Sequence, residues 1–287
     1  MTSKTSVTVR VTEELRLEQA LKNAGIENPA TVTDLVVEGA MTRDDFEYIR
    51  ENMGKTLQTL DMSKAAMSRI ANFAFDGCTG LVSVIIPDTV EEIGLSAFIG
   101  CTGLRSFFIP AAVAHPYRML ICGLDTFSGC NALTAIDVAY ENAVYASVDG
   151  VMFNKAKTTL IKYPQGKQGV YIIPDGVRGI AKNAFNRCAG LTEVVIPNSV
   201  KYIGESAFEG CAGLTAVELP GSVCKIGNRA FYGCSGLTSL DISRVECMIG
   251  DCVFAGCSKL TSVVITRRAF GYSAFSGCDA LTTINIL

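Results

Sequence analysis

The sequence predicts an α+β repeat solenoid: a right-handed stack of short turns with parallel β-strands and an N-terminal α/β cap. The first observation is a phrase close to Ala-Phe-x-Gly-Cys-x-x-Leu, which recurs eight times in 287 residues, most often every 23 residues. The second is the apolar pattern after each Leu, at offsets 3 and 5, which is typical of a short strand with one buried face. The phenylalanines of the eight copies are Phe75, Phe98, Phe127, Phe185, Phe208, Phe231, Phe254 and Phe275.

A period of about 20–29 residues is typical of leucine-rich repeats, in which each turn buries its apolar face against its neighbours. We therefore predict an N-terminal cap over residues 1–56 and a leucine-rich repeat solenoid over residues 57–287. Such a fold offers open surfaces for binding, so the search for function concerns surfaces more than a single pocket.

In the cap, Thr12 followed by Glu13–Gly25 predicts a capped amphipathic helix, and Thr42–Arg50 predicts a second helix. Val32–Val37 and Leu57–Met62 carry the strand pattern of the repeats. A cap of this kind protects the apolar core of the first turn.

Within each turn, a Pro after the strand ends the pairing, and the Ala-Phe-x-Gly-Cys segment is long enough for one helical or 3₁₀ turn. A Gly then precedes the next copy of the phrase, where the backbone needs either an unusual φ or a close approach to another chain segment. These glycines are Gly94, Gly204, Gly227, Gly250 and Gly271.

Two segments interrupt the repeat. A lengthened loop at 111–121 contains His115, and residues 141–169 carry two β-rich runs around a polar turn, which predicts an inserted β-hairpin. At the other end, Leu281–Leu287 is a repeat strand without a predicted cap, so we expect a longer natural protein, a self-capping strand or association.

Composition excludes some partners. The 25 basic and 28 acidic residues give a net charge of −3, which predicts neither a nucleic acid nor an anionic membrane as partner. No apolar run approaches about 18 residues, so we expect no membrane insertion. The segment Met1–Val11 lacks the apolar region of a signal peptide, which indicates an intracellular protein or a mature segment given a new Met.

Eight of the 12 cysteines occupy the same repeat position, three residues after each Phe of the phrase. Side chains in register on stacked turns point the same way, so we predict reduced, buried cysteines rather than disulfides. Cys122 replaces an apolar repeat residue and fits the same interpretation. Cys224 and Cys247 share another position, which is charged elsewhere, so they should face solvent and be open to oxidation.

The sequence offers no clear catalytic, cofactor or metal residues. His115 is the only histidine, and we interpret it as an exposed loop residue. Of Cys247, Cys252 and Cys257, only the last belongs to the repeat column of cysteines and the other two occupy stray positions, so we interpret their even spacing as no zinc site.

Three acidic residues, Asp137, Glu218 and Asp241, share strand offset 4. Glu218 and Asp241 should be neighbours on adjacent turns, where repulsion raises the pKa of one of the pair. We interpret them as solvated surface acids rather than as an acid–base pair.

The outward offsets 1 and 4 of two early turns predict a candidate partner surface made of Val82, Ile85, Arg105 and Phe108. Exposed apolar side chains beside a charge are typical of binding sites. The alternative is that the 111–121 loop covers this patch.

The repeat phrase, as in Ala207–Pro220, and the insert around Tyr145–Pro164 resemble the BspA-like leucine-rich repeat family, surface proteins of host-associated anaerobic bacteria and some parasitic protists. The resemblance covers residues 57–287 and implies an exported protein used in adhesion or recognition.

We therefore predict a non-enzymatic protein-interaction or adhesion module at an extracellular or cell-surface location, with a protein or glycan ligand such as host extracellular matrix. No cofactor is expected. The alternatives are a rigid structural spacer that presents another domain, and a cytoplasmic location.

Overall fold

The structure is a computed structural model that describes residues 5–114, 126–266 and 270–287. His115 and Cys122 lie outside these ranges. The chain forms two compact units, Met1–Gly150 and Val151–Leu287. Each unit is a stack of leucine-rich-repeat turns with mostly parallel strands, which confirms the predicted fold class. The division into a cap over 1–56 and a solenoid over 57–287 stays a prediction.

The helical elements all lie in the first unit and are α1 (Leu17–Asn23), the 3₁₀ helix η1 (Pro29–Thr31) and α2 (Arg43–Asn52) among the described residues. The strands of the first unit are β1 (Thr5–Val11), β2 (Val32–Gly39), β3 (Thr59–Asp61), β4 (Arg69–Ile70), β5 (Ser83–Ile85), β6 (Glu92–Ile93), β7 (Ser106–Ile109), β8 (Ala135–Val138) and β9 (Tyr145–Val148). Those of the second unit are β10 (Val151–Asn154), β11 (Thr159–Lys162), β12 (Gly169–Ile172), β13 (Gly179–Ile180), β14 (Leu191–Val195), β15 (Tyr202–Ile203), β16 (Ala216–Val217), β17 (Lys225–Ile226), β18 (Ser239–Asp241), β19 (Ser262–Ile265) and β20 (Thr283–Ile286).

In the first unit, two strands of the N-terminal segment and the first two repeat strands form a parallel sheet in the order β1-β2-β3-β5, and β7 pairs with β8. Leu35, Leu60 and Val84 lie in register on neighbouring strands and are buried. Helix α2 covers the start of the core because the ring of Phe46 packs edge-on against Phe75, with the centroids 5.5 Å apart.

The first helix starts later than we predicted, at Leu17 instead of Glu13. Thr12 does not cap the helix; its Oγ1 accepts from the backbone N–H of Leu15 at 3.0 Å, which makes a separate turn. The N–H of Leu17 donates to the buried carboxylate of Asp45 at 2.9 Å. The start of α1 is therefore set by a tertiary contact with α2, in addition to local sequence.

A second row of very short strands contains the Ile that stands five residues before the repeat Phe, and the sequence analysis missed this row. In the first unit β4 pairs in parallel with β6, so that Ile70 lies beside Ile93. In the second unit β13, β15 and β17 pair in the same way through Ile180, Ile203 and Ile226. Each stack therefore has paired backbone on two sides of its core.

The second unit contains an antiparallel hairpin within the predicted insert. β10 pairs with β11, with Met152 opposite Lys162 and Phe153 opposite Leu160. β11 then pairs in parallel with β13, which joins the hairpin to the ordinary turns of this unit. The ring of Tyr163 stacks on Phe185 with the centroids 4.9 Å apart and so takes the place of a repeat Phe.

The part of the predicted insert that belongs to the first unit depends on Asn142, which is fully buried. Its Nδ2 donates to the carbonyl oxygens of Pro110 at 2.9 Å and Val113 at 2.8 Å. Its Oδ1 accepts from the N–H groups of Val144 at 3.0 Å and Tyr145 at 2.8 Å. One amide side chain thereby ties two chain segments together with all four of its hydrogen-bonding positions used.

The repeat glycines before the phrase are required by close approach, which decides between the two expectations. A Cβ at Gly227 would lie 2.5 Å from the backbone nitrogen of Glu205 on the preceding turn. Positive φ occurs elsewhere in the repeat. Two residues after all eight repeat phenylalanines φ is positive, at Gly in seven copies and at Arg187 (φ 57°) in the other. The described residues two before a repeat Phe also have positive φ: Phe73, Ser96, Asn183, Ser206, Arg229, Cys252 and Ser273. Between them, bonds such as Cys78 N–H to Phe75 C=O close three-residue turns rather than a longer helix.

Candidate functional site

The predicted partner surface lies on the strand face of the first unit. Ile85 on β5 and Phe108 on β7 occupy equivalent outward positions of successive turns, and their side chains are 50% and 51% exposed. Arg105 is exposed and Val82 is partly buried. The two strands are held together there because the N–H of Arg105 donates to the carbonyl of Val82 at 3.1 Å.

Strand alternation explains why these side chains point outward. Val84 and Phe107, each one residue before the exposed positions, are buried, and Phe107 packs 4.8 Å from Phe98 in the aromatic column. A shift of one residue would exchange the two sets, so the core fixes the exposed face.

Acidic side chains border the apolar pair. Ile85 lies in register with Asp61 on β3, and Phe108 lies in register with Asp137 on β8. The surface therefore combines two apolar side chains, one arginine and two flanking carboxylates. Most of the 111–121 loop lies outside the described residues. The alternative that this loop covers the patch therefore stays a prediction.

The strand face of the second unit carries apolar side chains that the sequence analysis did not single out. Val170 and Ile172 on β12 are exposed, and Ile172 lies in register with the exposed Val195 on β14. The repeat copy that contains β12 lacks the Phe phrase, so the outward positions of this strand could not be counted from a repeat Phe. The sequence signal for this strand is Ile173-Pro174, because an Ile-Pro pair also ends other repeat strands.

Next to Val195, a groove of about 680 Å³ runs across β14, β16 and β18. Glu193, Glu218, Asp241 and Arg244 line it. Arg244 Nη1 lies 3.4 Å from Glu218 Oε1, but both side chains are exposed, so this ion pair contributes little to stability. Three of the four charged residues that line the groove are therefore acidic.

Glu218 and Asp241 are bridge partners on adjacent turns, as we predicted. The pKa of Asp241 is nevertheless lowered, opposite to the effect of repulsion. Its carboxylate accepts from the Ser243 hydroxyl at 2.7 Å and from the Ser243 backbone N–H at 2.9 Å, and these bonds favour the charged form.

The eight repeat cysteines are buried thiols, as predicted. Burial raises the pKa of the Cys78 and Cys257 thiols to about 12, and it also raises that of Cys211. Cys224 is an exposed thiol and Cys247 is partly exposed, in agreement with the predicted solvent-facing position. The raised pKa values keep these buried thiols protonated, and the thiolate is the nucleophilic form.

Within the described ranges, no group of three His, Cys, Asp or Glu side chains is placed to hold a metal ion. Over the same residues, no helix is long and apolar enough to cross a membrane. The two strand faces present apolar side chains, carboxylates and arginines in fixed register.

Solved structures share the fold. A leucine-rich repeat protein of Eubacterium ventriosum is 21% identical with a TM-score of 0.60, over 86% of this chain and 78% of that one. A leucine rich cell surface protein of Faecalibacterium prausnitzii is 30% identical with a TM-score of 0.67, over 89% and 63%. The pneumococcal vaccine antigen PcpA is 23% identical with a TM-score of 0.64, over 89% and 62%.

The chain thus spans less than two thirds of the length of the last two proteins. No curated protein matches it. The model of the BspA type leucine rich repeat region matches 6 copies in residues 52–175 and 178–287, which is most of the chain and confirms the resemblance found in the sequence. This protein therefore belongs to the family with BspA-type leucine-rich repeats.

Proposed function

We propose that this protein is a non-enzymatic interaction or adhesion module at the cell surface or outside the cell, and that it binds a protein ligand through the strand face of its first unit. Leucine-rich repeat proteins bind proteins, and this family is typical of interaction proteins at surfaces. The similar protein from Faecalibacterium prausnitzii is described as a cell surface protein, which supports the location. Host extracellular matrix is the ligand class to test first.

The observation that carries the proposal is the pair Ile85 and Phe108. These two large apolar side chains lie on successive strands and are about half exposed, so they leave apolar surface in contact with water unless a partner covers it. Removing that surface from water would favour binding. Arg105 beside them adds a side chain that is enriched at binding hot spots. The carboxylates of Asp61 and Asp137 at the border favour a ligand with basic groups around an apolar centre.

The test is the double variant Phe108→Ser with Arg105→Glu, assayed by biolayer interferometry against a panel of purified extracellular-matrix proteins and glycans. We expect affinity for the bound protein to fall about tenfold or more, because truncation of one hot spot costs about 2 kcal/mol. The control is Val195→Ser with Arg244→Glu, which replaces an exposed apolar residue and an exposed arginine on the strand face of the second unit. Unchanged affinity in the first variant would refute the assignment.

The hairpin of the second unit is the rival recognition element, because loops on regular scaffolds often carry function. Lys155→Glu with Lys157→Glu changes the charge of its exposed turn. If this variant loses binding while the strand-face variant retains it, recognition belongs to the insert.

A rigid spacer is the second candidate function. The stacked rings from Tyr163 through Phe275 form an uninterrupted aromatic column in the second unit, with successive centroids 4.6–5.6 Å apart. Such a column favours stiffness. Absence of binding to every member of the panel would favour this role over the interaction module.

A further inference from the structure

A cleft of the first unit lies away from the strand face, between the start of α2 and the turn at residues 69–76. Its larger part, about 470 Å³, is lined by Arg43 and Phe46 of α2 and by Arg69, Asn72 and Phe73. An adjoining part of about 350 Å³ shares most of these residues and adds Glu47, Arg50 and Asp76. Three guanidinium groups and two carboxylates therefore line the cleft.

Phe73 is the unusual residue of this cleft. Its side chain is 44% exposed although its backbone adopts φ 56°, a region that bulky side chains rarely occupy. The same repeat position is left-handed in other copies but carries shorter or polar side chains there: Ser96, Asn183, Ser206, Arg229, Cys252 and Ser273. The repeat geometry thus accounts for the left-handed backbone but not for an exposed aromatic ring.

The backbone around this ring is held in place by neighbouring groups. The Phe73 N–H donates to the carbonyl of Leu95 at 3.0 Å, and Arg50 Nη1 donates to the Phe73 carbonyl at 3.1 Å. The Asn72 Oδ1 accepts from the N–H of Leu95 at 2.9 Å. The ring is therefore presented from a fixed main chain, which lowers the entropy cost of binding.

Two of the three arginines are already engaged. Arg50 lies 3.5 Å from Glu47, and Arg69 lies 3.4 Å from Glu92 while it donates to Asn72 Oδ1 at 3.2 Å. Arg43 is exposed, and no described residue forms an ion pair or hydrogen bond with its guanidinium. The Asn72 Nδ2 likewise donates to no described residue.

We propose that this cleft binds a carboxylate-bearing sugar residue of a glycan, such as a uronic or sialic acid unit. An arginine binds a carboxylate through two parallel N–H···O bonds, and Arg43 has both donors available. The amide of Asn72 donates to a ring or hydroxyl oxygen, and the apolar C–H face of the pyranose packs on the Phe73 ring. Asp76, which lines the smaller part of the cleft, accepts from sugar hydroxyls.

The experiment titrates the full chain with a glucuronate-containing oligosaccharide, with sialyllactose and with neutral lactose, by isothermal calorimetry or by NMR shift. We expect binding of one or both acidic sugars and at least about tenfold weaker binding of lactose. The two acidic probes distinguish a uronic from a sialic source.

Arg43→Gln and Phe73→Ser should each weaken binding of the acidic sugar about tenfold, with melting temperatures that exclude unfolding. Arg178→Gln, which removes an exposed arginine of the second unit, should leave it unchanged. Equal binding of lactose, binding unaffected by both cleft variants, or no binding of either acidic sugar would overturn the proposal. The strand-face variant should keep full sugar binding, so the two sites fail independently.

Discussion

The thiol of Cys211 lies 3.0 Å from the carbonyl oxygen of Phe185, one turn earlier in the second unit. The same contact recurs along the cysteine column at 3.1–3.5 Å in both units, with a longer one of 3.8 Å from Cys188 to Tyr163. Cysteine is thus more than an apolar filler at this position. It is small enough for the space beside the Phe column, and its thiol still donates a hydrogen bond to the preceding turn.

We predict that Cys211→Ala lowers the free energy of unfolding by about 1–3 kcal/mol, because it removes a buried sulfur together with its hydrogen bond. Cys224→Ala, at an exposed thiol, should cost less than about 0.5 kcal/mol. Urea denaturation of both variants checks this. Equal denaturation midpoints for the two variants would show that the buried thiols and their hydrogen bonds do not stabilise the fold.

Much of the fold could be predicted because the repeat phrase reports burial directly. Each repeat Phe, Cys and Leu has a fixed offset, so the inward face and the exposed positions of Ile85 and Phe108 followed from counting. The Phe46 contact with Phe75 could not be anticipated, since it depends on where α2 docks.

The features that were missed depend on tertiary contacts or on segments too short to show a period. The carboxylate of Asp45 fixes the start of α1 from 28 residues away, which no local capping pattern reveals. Strands such as β4 contain two residues, fewer than a pattern of alternation needs. The thiol bonds of the column were missed because pattern analysis treats Cys as a small apolar residue.

The aromatic column supports a second prediction. Phe208 is fully buried between Phe185 and Phe231, with centroid distances of 4.6 and 4.9 Å. Phe208→Ala should cost about 3–5 kcal/mol through the cavity it leaves. Thr238→Ser on the exposed strand face should cost less than about 0.5 kcal/mol. Similar denaturation midpoints for the two variants would contradict the repeat phase.

Stability should fall at alkaline pH. The folded chain keeps the column thiols protonated, with the pKa of Cys78 and Cys257 raised to about 12, whereas unfolded thiols ionise near pH 8.5. Above that pH the unfolded state binds fewer protons, so the free energy of unfolding falls by about 1.4 kcal/mol per pH unit for each thiol until the folded pKa is reached. Below about pH 8 the thiols should add no pH dependence.

Denaturation at pH 7, 9 and 10.5 measures this slope. Cys211→Ala should reduce the slope by the contribution of one thiol, about 1.4 kcal/mol per pH unit. This difference separates the cysteine contribution from that of other titrating groups. A free energy of unfolding that stays constant from pH 8 to 10.5 would contradict buried, protonated thiols.

Alkylation tests the same column without unfolding. Iodoacetamide at pH 8 should modify Cys224 in the native chain and leave the eight column cysteines unmodified, because the thiolate is the reactive form and burial suppresses it. Peptide mass spectrometry identifies the sites. In denaturant without reductant, we expect twelve alkylated thiols, or ten if Cys224 and Cys247 are bridged. Four or fewer would refute a reduced column.

The last prediction concerns Gly227, where the direction of the stability change on substitution by alanine is informative. Replacing an unconstrained glycine by alanine usually stabilises a protein by about 0.4–1 kcal/mol, because it restricts the unfolded chain. At Gly227 the added Cβ would lie 2.5 Å from the Glu205 nitrogen and 2.8 Å from its Cα, both backbone atoms that cannot move aside alone. Gly227→Ala should therefore destabilise the second unit by about 1–3 kcal/mol, as overpacking does. The control Ser258→Ala, at an exposed turn, should stay within about 0.5 kcal/mol. A Gly227→Ala chain as stable as the parent in urea would mean that adjacent turns do not approach each other this closely.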